Sequence, residues 1–254
     1  MKDQIEVHQF RELFYLFLSR SFSREADKLF LRSALEFSRS LKDLFEDLKE
    51  EDLIQGRQLL EGFFEETKQT KEEIILRDLA GQYASLFLGV GPENVSLCES
   101  AYRNERGLLF QSSYFEILNE YGKEGLTKRK DFTEPEDHLA VELAFMANLC
   151  RWSNSSIQKG AKEETERSYR SQERFLGNHL NQWVSRFTKG LLDVNPSGFY
   201  KAFAYLLKGY VNVDRAWIDE LLSEIGAGED TSSGKTKKPS GREVKKSVKG
   251  KGKD

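Results

Sequence analysis

Five titratable side chains crowd one short stretch of the chain: Glu134, Glu136, Asp137, His138 and Glu142. His138 and Glu142 stand four residues apart, so on a helix they share a face. An imidazole beside carboxylates is the material of a metal pair or of an acid–base pair. Two ligands do not complete a zinc site, and no HExxH arrangement joins His8, His138 or His179. The competing reading is electrostatic. Carboxylates at a helix N-terminus complement its macrodipole, at about 0.3–1 kcal/mol each. A cation is disfavoured at that end, so His138 is expected to be neutral, or paired with a carboxylate such as Asp137 or Glu142.

No other arrangement of catalytic residues emerges. There is no GxxxxGK[ST] phosphate loop and no GxSxG elbow. Gly89-Val90-Gly91 follows a helical run rather than a strand, which is the wrong context for a dinucleotide site. Cys98 and Cys150 form no CxxC pair and read as two reduced thiols in or near a core. The sequence therefore points to no catalytic residue, no metal and no cofactor. An enzyme reading would be a nucleotide hydrolase using Asp137, His138 and Glu142, against which the missing phosphate loop and metal set count.

The elements that must position these residues read as helices. Val7, Phe10, Phe14, Phe17 and Leu18 recur at helical spacing within residues 5–22. Ser23 can cap a second helix running to about Leu48. Further runs are predicted over 53–66, 71–88 and 113–121. Thr133-Glu134-Pro135-Glu136 has the form of a capping box with proline in the first turn, which predicts a helix from there to about Trp152. A polar helix from about Gly160 leads into Phe175, His179, Trp183 and Phe187 and stops near Gly190. Two more helices are predicted over 196–210 and 214–225. No run alternates with the period of two that a strand requires. The class is all-α.

Composition sets the outer limits. Of 254 residues, 38% are apolar, enough for a core, and 32% are charged. No apolar stretch approaches the roughly 20 residues of a membrane span. Met1–His8 carries Lys2, Asp3 and Glu6 and does not read as a signal peptide. The net charge of −3 hides an asymmetry: residues 227–254 hold nine Lys/Arg against four Asp/Glu, leaving about −8 on the body and +5 on the tail. An acidic body argues against nucleic-acid binding by the folded part and favours basic partners. The Gly/Ser/Lys-rich tail is expected to be disordered, because it has almost nothing apolar to bury.

The order of segments resembles the TorD/DmsD/NarJ family of chaperones that mature molybdenum-containing redox enzymes. Glu134-Pro135-Glu136-Asp137-His138 with Glu142-Leu143 and Met146 follows the family signature Glu-Pro-x-Asp-His-x-x-x-Glu-Leu-x-x-Met. Tyr83 to Gly89, followed by Cys98-Glu99-Ser100-Ala101-Tyr102, is similar to the family's apolar helix end and its Pro-x-Glu-Ser-Val-Tyr-like loop. Cys98 stands where proline is usual, and Ala101 where a β-branched residue is. His179-Leu180 with Trp183 and Phe187, and then Phe199-Tyr200, come in the expected order. The likeness spans roughly residues 83–225 and leaves the basic tail outside.

The resemblance implies a TorD-like helical fold of about ten helices over residues 1–226. Its N-terminal part would be about 1–130 and its C-terminal part about 134–226, with the tail at 227–254. It implies a cytoplasmic chaperone, monomeric or a domain-swapped dimer. Such a chaperone binds an apo molybdopterin oxidoreductase subunit, its twin-arginine signal peptide, or both, until the cofactor is inserted. The candidate groove comprises Tyr83, Leu86, Phe87, Glu99, Tyr102, Glu134, Pro135, Asp137, His138 and Glu142. A helical scaffold whose basic tail binds nucleic acid is the remaining alternative.

Overall fold

A computed structural model describes residues 2–90 and 94–233. Among these, every regular element is a helix. In chain order they are α1 (Lys2–Ser23), α2 (Lys28–Ser40), α3 (Lys42–Leu48), α4 (Glu51–Glu66), α5 (Glu72–Phe87), α6 (Ser112–Lys123), α7 (Leu139–Lys159), α8 (Lys162–Phe175), α9 (Asn181–Asp193) and α10 (Gly198–Ser233). A 3-10 turn occupies Glu99–Ala101, and a π-helical turn, Leu176–Leu180, joins α8 to α9.

Where helices begin follows the local chemistry, and this moves several expected boundaries. Asp27, not Ser23, caps α2: its carboxylate accepts the Phe30 amide at 2.8 Å. Ser23 instead turns its hydroxyl back onto the Arg20 carbonyl and belongs to α1. The run expected to reach Leu48 unbroken is split at Leu41 into α2 and α3. The Thr133–Glu136 capping box does not form; α7 starts later, at Leu139, with His138 as its N-cap. That helix runs on past Trp152 to Lys159 and ends where Gly160 takes a left-handed conformation, φ 67°. Gly190 does not stop α9, which continues to Asp193. The two last predicted helices are one, because nothing between Tyr210 and Asp214 breaks the backbone ladder. It is described to Ser233, beyond the boundary expected at residue 227; residues 234–254 lie outside the described ones.

One hydrophobic core joins the N- and C-terminal parts. α1 packs along α7, and α4 along α10. The second pairing is unusually close, because glycines face backbone on both sides. A Cβ on Gly56 would sit 2.8 Å from Leu206 Cγ and 2.9 Å from its amide nitrogen; one on Gly209 would sit 2.9 Å from the Leu53 nitrogen. Between these layers the phenylalanines interlock. Phe17 stacks on Phe37 at 4.1 Å and Phe30 on Phe203 at 5.7 Å, while Phe22 meets Phe187 and Phe203 edge to face. The fully buried rings among them, Phe22, Phe187 and Phe203, contribute about 1.5–3 kcal/mol each through burial.

A buried ion pair ties the first helix to the last. Arg11 Nη2 donates to Asp214 Oδ2 at 2.8 Å, and the Tyr15 hydroxyl donates to the same oxygen. Arg11 also donates to His8 Nδ1 at 3.0 Å. Burial, reinforced by the Arg11 charge, lowers the His8 pKa to about 3, so this imidazole stays neutral.

Candidate functional site

The segment between α5 and α6 is laid against the approach to α7. The Leu139 amide donates to the Leu97 carbonyl at 2.7 Å, and the Glu99 amide to the Asp137 carbonyl at 2.9 Å. Cys98 and His138 pair as an isolated antiparallel bridge. The Asp137 carboxylate accepts the Ser100 amide at 2.9 Å. Two stretches distant in sequence thus fix one another through main-chain bonds, and side chains complete the junction.

Most of the acidic side chains here are inside the protein. Glu99, Asp137 and Glu142 are fully buried. Glu99 accepts from Arg103 at 2.6 Å with one oxygen and lies 3.0 Å from His179 Nδ1 with the other. The π-helical turn presents that histidine, and Arg103 also holds the Asn178 carbonyl of the same turn at 2.7 Å. Glu142 accepts the Trp183 indole N–H at 3.2 Å. Burial first, and then the nearby Glu99 charge, push the Glu142 pKa well up, so it holds its proton. Tyr102 stacks on Trp183 at 5.3 Å and donates its hydroxyl to the Ser96 carbonyl at 2.8 Å. These groups form an internal lock that holds the 95–102 and 134–142 segments in place.

His138 has a definite role of its own. Its Nδ1 accepts the Ala140 amide at 3.1 Å, the capping bond of α7. Only a neutral ring can accept there, and burial lowers its pKa to about 4, in keeping with that state. The expectation of a neutral histidine at a helix start agrees with this geometry; the cap, rather than a carboxylate partner, accounts for it.

Beside the lock opens a cleft of about 620 Å³. Tyr83, Phe87, Glu134, Pro135 and His138 line it, as do Leu88 and Leu97. Leu86, Glu99, Tyr102, Asp137 and Glu142, expected in the same groove, do not. Leu86 packs into the core, and the three acids belong to the lock, as does Tyr102 through its stacking on Trp183. The opposite wall is the α1–α2 turn from Ser23 to Asp27, which carries Arg24, Glu25 and Asp27. Sequence reasoning missed this wall, since no local pattern links that turn to the distant residues it faces. The Tyr83 hydroxyl bonds the Phe22 carbonyl at 2.9 Å and so fixes the wall to α5. Three carboxylates against one guanidinium leave the cleft acidic, and Glu25 and Glu134 are exposed.

The buried titratable side chains around the cleft are engaged within the fold itself. The imidazole of His138 is committed to a cap, Asp137 to a loop amide, and Glu142 to an indole. Both cysteines are free and buried. Among the described residues, no group of three or more His, Cys, Asp or Glu is arranged to hold a metal ion, and no helix is long and apolar enough to cross a membrane.

Residues 46–189 match the family described as nitrate reductase delta subunit. The chain is 30% identical over 150 residues to the chaperone protein TorD of Vibrio atlanticus, covering 59% of this chain and 68% of that one. It is 32% identical over 155 residues to the TorD of Photobacterium profundum, covering 60% and 68%. With the TorD of Shewanella loihica, identity is 28% over 221 residues, 84% of this chain and 94% of that one. No solved structure matches the chain.

Proposed function

The chain belongs to the TorD/NarJ family of redox-enzyme maturation chaperones, and on that premise we propose that its acidic cleft captures the twin-arginine signal peptide of an apo molybdopterin oxidoreductase subunit. The chaperone holds that subunit in the cytoplasm until its cofactor is inserted. The observation that carries the proposal is the pairing, in one cleft, of an apolar surface from Tyr83, Phe87, Leu97 and Pro135 with exposed carboxylates at Glu25 and Glu134. A twin-arginine peptide has the matching halves, a basic start and an apolar middle.

Magnitudes rank the two halves. Exposed ion pairs contribute about 0–1 kcal/mol each. Each Leu- or Phe-sized side chain fully buried contributes about 1.5–3 kcal/mol. Ordering the peptide costs at least about 2–5 kcal/mol. Apolar burial therefore supplies most of the affinity, and the carboxylates orient the arginines and speed encounter. The lock of Glu99, Asp137 and Glu142 serves by holding Pro135 and His138 in the cleft wall.

The test is a calorimetric titration of the full chain with a synthetic twin-arginine peptide. Glu25→Arg with Glu134→Arg should weaken binding by about tenfold at low salt, with helical content unchanged. Unchanged affinity would remove the peptide from this cleft.

A further inference from the structure

Of the loop between the 3-10 turn and α6, residues 102–111, one residue lines the acidic cleft, Leu109. There it joins Phe87, Leu88, Leu97 and Pro135. Its side chain is 40% exposed, so it is not taken up by the core. A loop holds a binding side chain poorly unless something fixes the loop. Asn104 does so here. A side-chain amide carries two N–H donors and an oxygen with two lone pairs, and Asn104 uses all four. Its Nδ2 donates to the Ser100 carbonyl and, at 2.8 Å, to the Leu108 carbonyl. Its Oδ1 accepts the Arg106 amide at 3.0 Å and the Leu108 amide at 3.1 Å. Gly107 supplies the left-handed turn between them, φ 63°. One side chain thus closes the loop on itself and fastens it to Ser100, whose own amide is held by the buried Asp137.

On the other side of Leu109 the backbone is strained. Phe110 is left-handed, φ 57°, a conformation that an aromatic residue rarely adopts. The strain does not bury its ring, which is 53% exposed and meets Tyr114 edge to face at 5.0 Å. Gln111 donates to the Leu109 carbonyl at 2.9 Å, and Tyr114 donates to Glu136 at 2.7 Å. Leu109 is therefore fixed from both sides while its side chain stays open to the cleft. We propose that Leu109 is a specificity-determining contact of the cleft, selecting large apolar side chains in the bound peptide, and that Asn104 is the positioning residue that holds it there. This deepens the reading of the cleft given above and rests on it. The lock then acts on the cleft twice: through Pro135 and His138 in the wall, and along the path from Asp137 through Ser100 and Asn104 to Leu109.

The experiment titrates the full chain by calorimetry with two synthetic twin-arginine peptides that differ only in their apolar middle, one Leu-rich and one Ala-rich. The wild type should bind the Leu-rich peptide about tenfold tighter, the effect of burying one large side chain in place of a small one. Leu109→Ala and Asn104→Ala should each remove most of that preference and leave the Ala-rich peptide nearly unaffected. The double variant should lose no more than either single one, because both act through the same contact. An unchanged preference in Leu109→Ala overturns the specificity role. Equal weakening of both peptides by Asn104→Ala, or an effect that adds to that of Leu109→Ala, overturns the positioning role. Hydrogen exchange reads the loop without any peptide: the Leu108 amide should exchange about tenfold faster in Asn104→Ala, with helical content unchanged, and an unchanged rate overturns the anchor. If the wild type binds neither peptide, the reading of the cleft falls and the specificity role with it, while hydrogen exchange still decides the anchor.

Discussion

At the scale of single residues, the acid-and-histidine cluster is divided by burial. Glu134 stays in water, whereas Asp137 and Glu142 are enclosed and spent on an amide and an indole. Glu142 offers a test with a definite sign. Its pKa is raised above the ordinary value of 4.5 by burial and by Glu99. Between that value and the raised one, the unfolded chain has released a proton that the folded chain keeps. Stability therefore falls as pH climbs through this window. Glu142→Gln keeps an acceptor for Trp183 and has no proton to lose. Thermal melts should show the variant close to wild type at about pH 4 and more stable at about pH 8; a variant less stable at both would show that the carboxyl is needed ionised. The sequence showed that these residues occur together. It did not show which would be buried, because that depends on Ser100, Arg103, His179 and Trp183, which come from other segments of the fold.

At the scale of elements, periodicity located the helices well and their ends poorly. α1, α4 and α5 fall within a few residues of where apolar spacing put them. The start of α7 was misplaced because a capping box is a local pattern, and the Leu139–Leu97 bond holds the preceding residues extended against another loop. The division of α10 into two was misplaced because its surface changes character around Asp214, whose partner Arg11 lies on α1. The glycine contact between α4 and α10 carried no sequence signal, since helical glycine is usually a weak point. Here position decides. Gly56→Ala should cost about 1–3 kcal/mol by pushing backbone apart. Gly62→Ala on the same helix, where a Cβ meets nothing within 4 Å, should stabilise by up to about 1 kcal/mol. Denaturant midpoints of the two variants check this, and equal shifts in one direction would contradict the close approach.

At the scale of the whole molecule, charge and shape point to the same kind of partner. A body of about −8 draws a basic segment from a distance, and the tail, at +5, is of the same sign as that segment. The fold class and the family were legible in the chain, the latter from Glu134 to Met146. Tyr83, Phe87, Glu134, Pro135 and His138, which the sequence puts forward together, line one cleft, while its wall from Ser23 to Asp27 emerges only when α1 is folded against α5 and α7. The central claim is that this cleft holds the client's signal peptide. Its most direct test is photocrosslinking with a benzophenone placed in the apolar middle of a twin-arginine peptide, followed by peptide mapping. Adducts are expected on the segments carrying Phe87, Leu88, Leu97 and Pro135. Adducts confined to α8 or the far half of α10 would contradict the claim.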